Sequence, residues 1–135
     1  MKKIAILVNE DTMQRCSCSG CLGACMDKRD SFERYGDEDI VLVSMTHSGG
    51  DLEKKIESMK KKEVDVVHLS TCTKSKNTDY EKIANQLAEH FDVVGYTHGT
   101  PDGKGKGKMA ITLKKGEQIP LVETTIEEPI IEESI

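Results

Sequence analysis

Four short aliphatic runs recur along the chain with helix-patterned segments between them, and this alternation restricts the fold more than any other feature. Lys3–Val8, Ile40–Val43, Val64–Leu69 and Asp92–Tyr96 are rich in valine, isoleucine and leucine. They show no clean in–out alternation, as expected of strands buried on both faces of a parallel sheet. In the segment Leu52–Lys62, Leu52, Ile56 and Met59 fall at helical spacing behind Ser48 or Asp51 as a cap. Tyr80, Ile83, Leu87 and Phe91 repeat the pattern over Asp79–Phe91, with Thr78 as the cap. Met26–Tyr35 reads as a weakly amphipathic helix closed by Gly36 in a left-handed conformation. Strands and helices in this order predict a doubly wound α/β fold, flavodoxin- or Rossmann-like, with an open parallel sheet of about four strands.

The pattern ends near His98. A Gly/Lys-rich connection follows, and Met109–Leu113 with Ile119–Val122 predict a short C-terminal β-hairpin. The chain therefore divides into an α/β domain over 1–99, an extension over 100–122 and an acidic tail over 123–135. The tail carries five glutamates and no base, so the net charge of −5 resides there and residues 1–122 are balanced. A balanced surface lacks the basic face that a general nucleic-acid binder needs. No apolar run approaches the roughly 18 residues that span a bilayer, and the five-residue run after Lys3 closes with Asn9-Glu10-Asp11, too early for a secretory signal. The expected location is the cytoplasm, where thiols stay reduced and clustered cysteines serve metal binding or redox chemistry.

Those cysteines are concentrated. Cys16, Cys18, Cys21 and Cys25 fall within ten consecutive residues, interleaved with Gly20 and Gly23, and Cys72 stands alone. The run reads as a loop gathering thiols around one point, with the next helix beginning nearer Cys25. In an open parallel sheet, ligands bind at the carboxyl ends of the strands. The cysteine run follows the first strand, His47-Ser48-Gly49-Gly50 the second, Cys72 the third and His98 the fourth. All five cysteines, His47 and His98 are thereby expected at one edge, as the ligand set of a metal ion or cluster. His68 alternates onto the same strand face as Ser70 and Cys72, as a satisfied core histidine or a support for the site.

The spacing C-x-C-x2-C-x3-C lacks the two separated knuckles of a zinc finger and also the ferredoxin signature, yet thiolate suits zinc and iron–sulfur clusters alike. A phosphatase-type loop needs arginine six positions after its cysteine. Here those positions hold Leu22, Ala24, Asp27, Ser31 and Thr78. The dinucleotide and P-loop glycine signatures are absent, leaving Ser48, Gly49 and Gly50 as a weak anion-binding turn before a helix. Cys18-Ser19-Gly20-Cys21 is formally a C-x-x-C redox pair.

In order and spacing, the early cysteine loop, S-F-E-R-Y-G (31–36), V-H-L-S-T-C-T-K (67–74) and G-Y-T-H-G (95–99) resemble the CGGC-domain proteins. The resemblance runs from Ile4 to Gly99 and implies a metal-binding domain with no established reaction. The chain departs at the defining point: Ser48-Gly49-Gly50-Asp51 stands where the family has Cys-Gly-Gly-Cys. The leading expectation is a small domain holding zinc or an iron–sulfur cluster, in redox or metal sensing. A thiol–disulfide redox enzyme using Cys18 and Cys21 is the second expectation. The third is a non-enzymatic module that forms a homo-oligomer through its C-terminal extension.

Overall fold

A computed structural model of the chain describes residues 1–10, 17–76, 79–98 and 110–120. In chain order these form β1 (Lys2–Val8), α1 (Ser19–Asp27), a 3-10 turn (Asp30–Tyr35), β2 (Ile40–His47), α2 (Leu52–Lys61), β3 (Val66–Leu69), α3 (Thr71–Lys76), α4 (Tyr80–Ala88), β4 (Asp92–Val94) and β5 (Thr112–Leu113). The sheet order is β2-β1-β3-β4-β5. The first four strands pair in parallel, and β5 joins β4 antiparallel. The expected α/β architecture is therefore present, with a mixed sheet of five strands.

Successive residues of β1 and β3 feed two separate cores, as a pleat with period two requires. Ala5, Leu7, Val67 and Leu69 meet Ile56 and Met59 of α2 and Ile83, Ala84 and Leu87 of α4. Ile4, Ile6, Val8 and Val66 face the other way, toward Cys21, Ala24 and Cys25 of α1 and Phe32 and Tyr35 of the 3-10 turn. Helical segments cover both faces. The unalternating sequence of β1 and β3 follows from this double burial. β2 is only half-buried along its length because it lies at the sheet edge, where no strand among the described residues pairs with its outer side.

Three expectations are corrected. The cysteine run is not a loop throughout: α1 starts at Ser19 and carries Cys21 and Cys25 in its interior, before breaking at Lys28 in a left-handed conformation. The thiols behave as small apolar groups, so Cys21, Ala24 and Cys25 at i, i+3 and i+4 form the buried stripe that drives the helix onto the sheet. The single helix expected over 26–35 is replaced by the tail of α1 and the 3-10 turn. Gly36 does take a positive φ, of 52°.

The segment after β3 adds a helix, since α3 begins directly at Thr71, ahead of the helix read from Thr78. Ser70 makes this start: its Oγ accepts the Thr73 N–H at 3.1 Å, satisfying a donor of the first turn. The C-terminal hairpin is the third correction. Thr112–Leu113 pairs with β4, while Asn85 of α4 grips the Ile119 backbone, donating to its carbonyl at 2.9 Å and accepting its N–H at 2.6 Å. With both of its backbone groups held by this amide, Ile119 has none left for a hairpin partner. Gly95 makes room for this return of the chain, because a Cβ there would fall 2.0 Å from the Tyr80 hydroxyl and 2.7 Å from the Ile111 carbonyl. The acidic tail, Thr78 as a cap, and Met109, Leu121 and Val122 of the hairpin lie outside the described residues.

Candidate functional site

The carboxyl ends of β1, β3 and β4 are tied together by short polar side chains. Asn9, just past β1, donates its N–H to Ser70 Oγ at 3.3 Å, and Ser70 Oγ also pairs with Thr73 Oγ1 at 2.8 Å. Thr71 Oγ1 accepts the N–H groups of Thr97 (3.3 Å) and His98 (3.2 Å) and donates to the His98 carbonyl at 2.7 Å. One hydroxyl thus fixes the backbone on which Thr97 and His98 are mounted.

Both of these residues reach α1. Thr97 Oγ1 donates to Cys21 Sγ at 3.1 Å in a buried contact. The His98 imidazole lies against Gly20, whose added Cβ would sit 3.3 Å from ring atoms Cδ2 and Nε2. A side chain at position 20 would push the ring away, so the glycine between the two cysteines serves close approach. Cys18 is the N-cap of α1 with φ 64°, and its carbonyl accepts the Leu22 N–H at 3.0 Å to open the helix. A non-glycine residue in this region carries roughly 1–3 kcal/mol of strain, and such residues gather at functional sites. The Cys18-x-x-Cys21 pair therefore begins a helix, with Cys18 half-buried and Cys21 buried at 5% exposure.

The remaining sequence-derived candidates divide. Cys25 sits one turn further along α1, buried in the core with Phe32 and Tyr35, and loss of solvent pushes its thiol pKa up. Cys72 lies half-buried in the first turn of α3. Cys16 lies outside the described residues. Among the described residues none of the cysteines is in a disulfide, and no three His, Cys, Asp or Glu side chains come together as a metal site. The donor chemistry of Cys18 and Cys21 suits a thiophilic ion, but the described residues leave its coordination incomplete.

The loop after β2 is closed on itself. His47 Nδ1 accepts the Gly49 N–H at 3.1 Å, which engages the lone pair a metal would use there. The Lys55 ammonium donates to the carbonyls of His47 (2.7 Å) and Gly49 (2.5 Å). Asp51 caps α2 by accepting the Lys54 N–H at 3.2 Å. At the expected anion turn of Ser48, Gly49 and Gly50, the Glu10 carboxylate already covers Gly49: a Cβ built there would lie 2.0 Å from its Oε1. A protein carboxylate thus stands where an incoming anion would sit.

Behind the site lies a cluster that sequence reasoning recognised only in His68. The ring is fully buried, stacked on Phe32 at 4.1 Å between centroids. Nδ1 faces the Tyr96 carbonyl at 3.1 Å, an acceptor only, so Nδ1 carries the proton; Nε2 then accepts the Tyr35 hydroxyl at 2.7 Å. Burial lowers the His68 pKa to about 3; the Tyr96 bond opposes this and the Arg34 charge adds to it. Neutral His68 is a structural pin that holds β4's end, and with it Thr97, against the 3-10 turn. A groove of about 360 Å³ opens at the other edge of the sheet, lined by Met1, Lys2, Asp65 and His90 among others, and holds no thiol.

The profile of the CGGC domain matches residues 3–98, which is most of the chain. The chain belongs to the CGGC-domain family. No curated protein and no solved structure gives a significant match. Membership gives the domain its description as metal-binding in general terms, with neither the metal nor the ligands specified. Among the described residues, no helix of this CGGC domain is long and apolar enough to cross a membrane. The signal that sequence reasoning passed over was the apolar spacing 21, 24, 25, visible once cysteine is counted as a core residue.

Proposed function

We propose that this CGGC domain carries out dithiol–disulfide exchange through Cys18 and Cys21. The observation that carries the reading is the start of α1 at Ser19, with Cys18 as its cap and Cys21 in its first turn. Helix N-termini favour negative charge, and a thiolate is the attacking species in exchange. Cys18, half-buried and first in the pair, attacks; Cys21, buried and held by the Thr97 hydroxyl, resolves. In the reaction, the Cys18 thiolate forms a bond to one sulfur of a substrate disulfide, and the other substrate sulfur leaves and takes a proton. The Cys21 thiolate then attacks Cys18, releasing the second substrate thiol and closing a Cys18–Cys21 disulfide. The substrate gains two electrons from the pair and two protons from solvent, which takes up in turn the two protons that the Cys18 and Cys21 thiols release on ionising. Alkylation with iodoacetamide at pH 6, followed by peptide mapping, tests this: Cys18 should react far ahead of Cys25. Uniformly slow labelling sinks the reading.

A second reading, a thiophilic metal held by the same thiols, is supported by family membership and by the His98 imidazole lying against Gly20 of the same helix. Cys18 and Cys21 would be two of its donors, His98 would join them only after a shift of its ring toward the thiols, Cys16 would be a further thiolate, and the group would be zinc or an iron–sulfur cluster. Bound there, the metal would hold the thiols deprotonated. Metal analysis and an absorption spectrum of anaerobically purified protein test it, and a colourless, metal-free protein removes it.

A further inference from the structure

Thr71 opens α3, far along the chain from the cysteine run, yet its hydroxyl is wholly engaged by the strand end that serves Cys21. A hydroxyl has one proton and two lone pairs. Thr71 Oγ1 accepts the N–H groups of Thr97 and His98 and donates its proton to the His98 carbonyl at 2.7 Å, so all three are in use. The three bonds converge on two consecutive residues, 26 and 27 positions further along. The anchor itself is firm. Ser70 donates its N–H to the Leu7 carbonyl of β1 at 2.9 Å, and its own carbonyl accepts the Lys74 N–H at 3.2 Å. Ser70 and Thr73, on either side of Thr71 and Cys72, are fully buried.

What this anchor fixes is a donor. Thr97 is fully buried, and its Oγ1 donates to Cys21 Sγ at 3.1 Å. A thiolate accepts such a bond most strongly, as charged acceptors do, whereas a sulfur in a disulfide accepts weakly. A hydroxyl held at Cys21 therefore favours the reduced pair over the Cys18–Cys21 disulfide. Without the Thr71 hydroxyl, the Thr97 and His98 amides lose their acceptor. The strand end can then carry the Thr97 hydroxyl off the sulfur.

We propose, resting on the dithiol reading above, that Thr71 is a positioning residue that sets the redox poise of the Cys18–Cys21 pair by holding Thr97 against Cys21. Its own hydroxyl is fully engaged by the backbone, so it acts on the sulfur only through the residue it holds.

The test equilibrates the full chain with glutathione buffers and reads the Cys18–Cys21 disulfide by alkylation and peptide mass. Four proteins are compared: wild type, Thr71→Val, Thr97→Val and the double variant. Thr71→Val should move the equilibrium about threefold toward the disulfide, short of the roughly fivefold that loss of a whole hydrogen bond gives in Thr97→Val. The double variant should match Thr97→Val alone, because Thr71 has nothing to act on once residue 97 has no hydroxyl. Thr71→Ser keeps the hydroxyl and should stay near wild type. A merely structural role would lower the unfolding midpoint of Thr71→Val and leave its equilibrium constant at the wild-type value, and that result overturns the proposal. Additive shifts in the double variant overturn it too, since Thr71 would then act by another route. If Thr71→Val does not fold, Thr71→Ala, which leaves room for a water at the same amides, replaces it in every comparison with the same shift expected. A wild-type protein that forms no Cys18–Cys21 disulfide in any of the buffers overturns the dithiol reading, and the positioning role with it.

Discussion

Acid should weaken this domain through one residue, His68. The unfolded chain holds a histidine with a pKa near 6.5, and the folded state lowers His68 to about 3. Between these values the unfolded chain binds the proton and the folded one does not. The contribution of His68 is therefore complete above pH 6.5 and is lost as pH falls toward 3. At about 1.4 kcal/mol per unit, the loss is about 2 kcal/mol at pH 5 and about 3 kcal/mol at pH 4. Those losses are a large share of the roughly 5–15 kcal/mol that holds a domain of this size together. Urea unfolding at pH 7.5 and pH 5 reads the effect, with His68→Asn as reference. The asparagine amide keeps a donor for the Tyr96 carbonyl and removes the titrating group, so all other ionisations cancel in the difference. Wild type should lose about 2 kcal/mol more than the variant between the two pH values. Parallel behaviour of the two proteins, or a His68 ring proton that titrates near pH 6, refutes the argument.

Other outcomes follow from single contacts. Gly95→Ala should destabilise by about 2–3 kcal/mol in thermal or urea unfolding, because its Cβ collides with the Tyr80 hydroxyl and the Ile111 backbone. Asp51→Ala removes the cap of α2 and should cost about 1 kcal/mol by the same measurement, with no change in thiol reactivity. Thr97→Val deletes the donor to Cys21 Sγ. Worth about 1 kcal/mol to the reduced form, this should shift the reduction potential of the Cys18–Cys21 pair about 20 mV more negative, read by equilibration with glutathione buffers.

His68 also shows where sequence reading stops. Its alternation within β3 put it on a known face, but its partners Ser31, Tyr35 and Tyr96 come from two other segments. The alternating aliphatic runs were enough for the strands and for the α/β class, since burial on both faces leaves no polar position to interrupt them. Asp51 as the cap of α2 was also legible, because capping is a contact between residues three apart. The helical start at Ser19 was less so: the run carries two glycines, and cysteine is at once a ligand type and a core residue.

The sequence by itself determined the class of fold, the two-faced core, the family and the thiol character of the chain, because each depends on local period or residue type. Tertiary structure alone decided which thiols are neighbours of what. It sent Cys25 into the core beside Tyr35 and aimed the Thr97 hydroxyl, 76 residues away in sequence, at Cys21. It also closed the loop after β2 with Lys55 and covered Gly49 with Glu10. These contacts join segments that meet only when the parallel strands set their carboxyl ends side by side. No spacing along the chain encodes the distances between them.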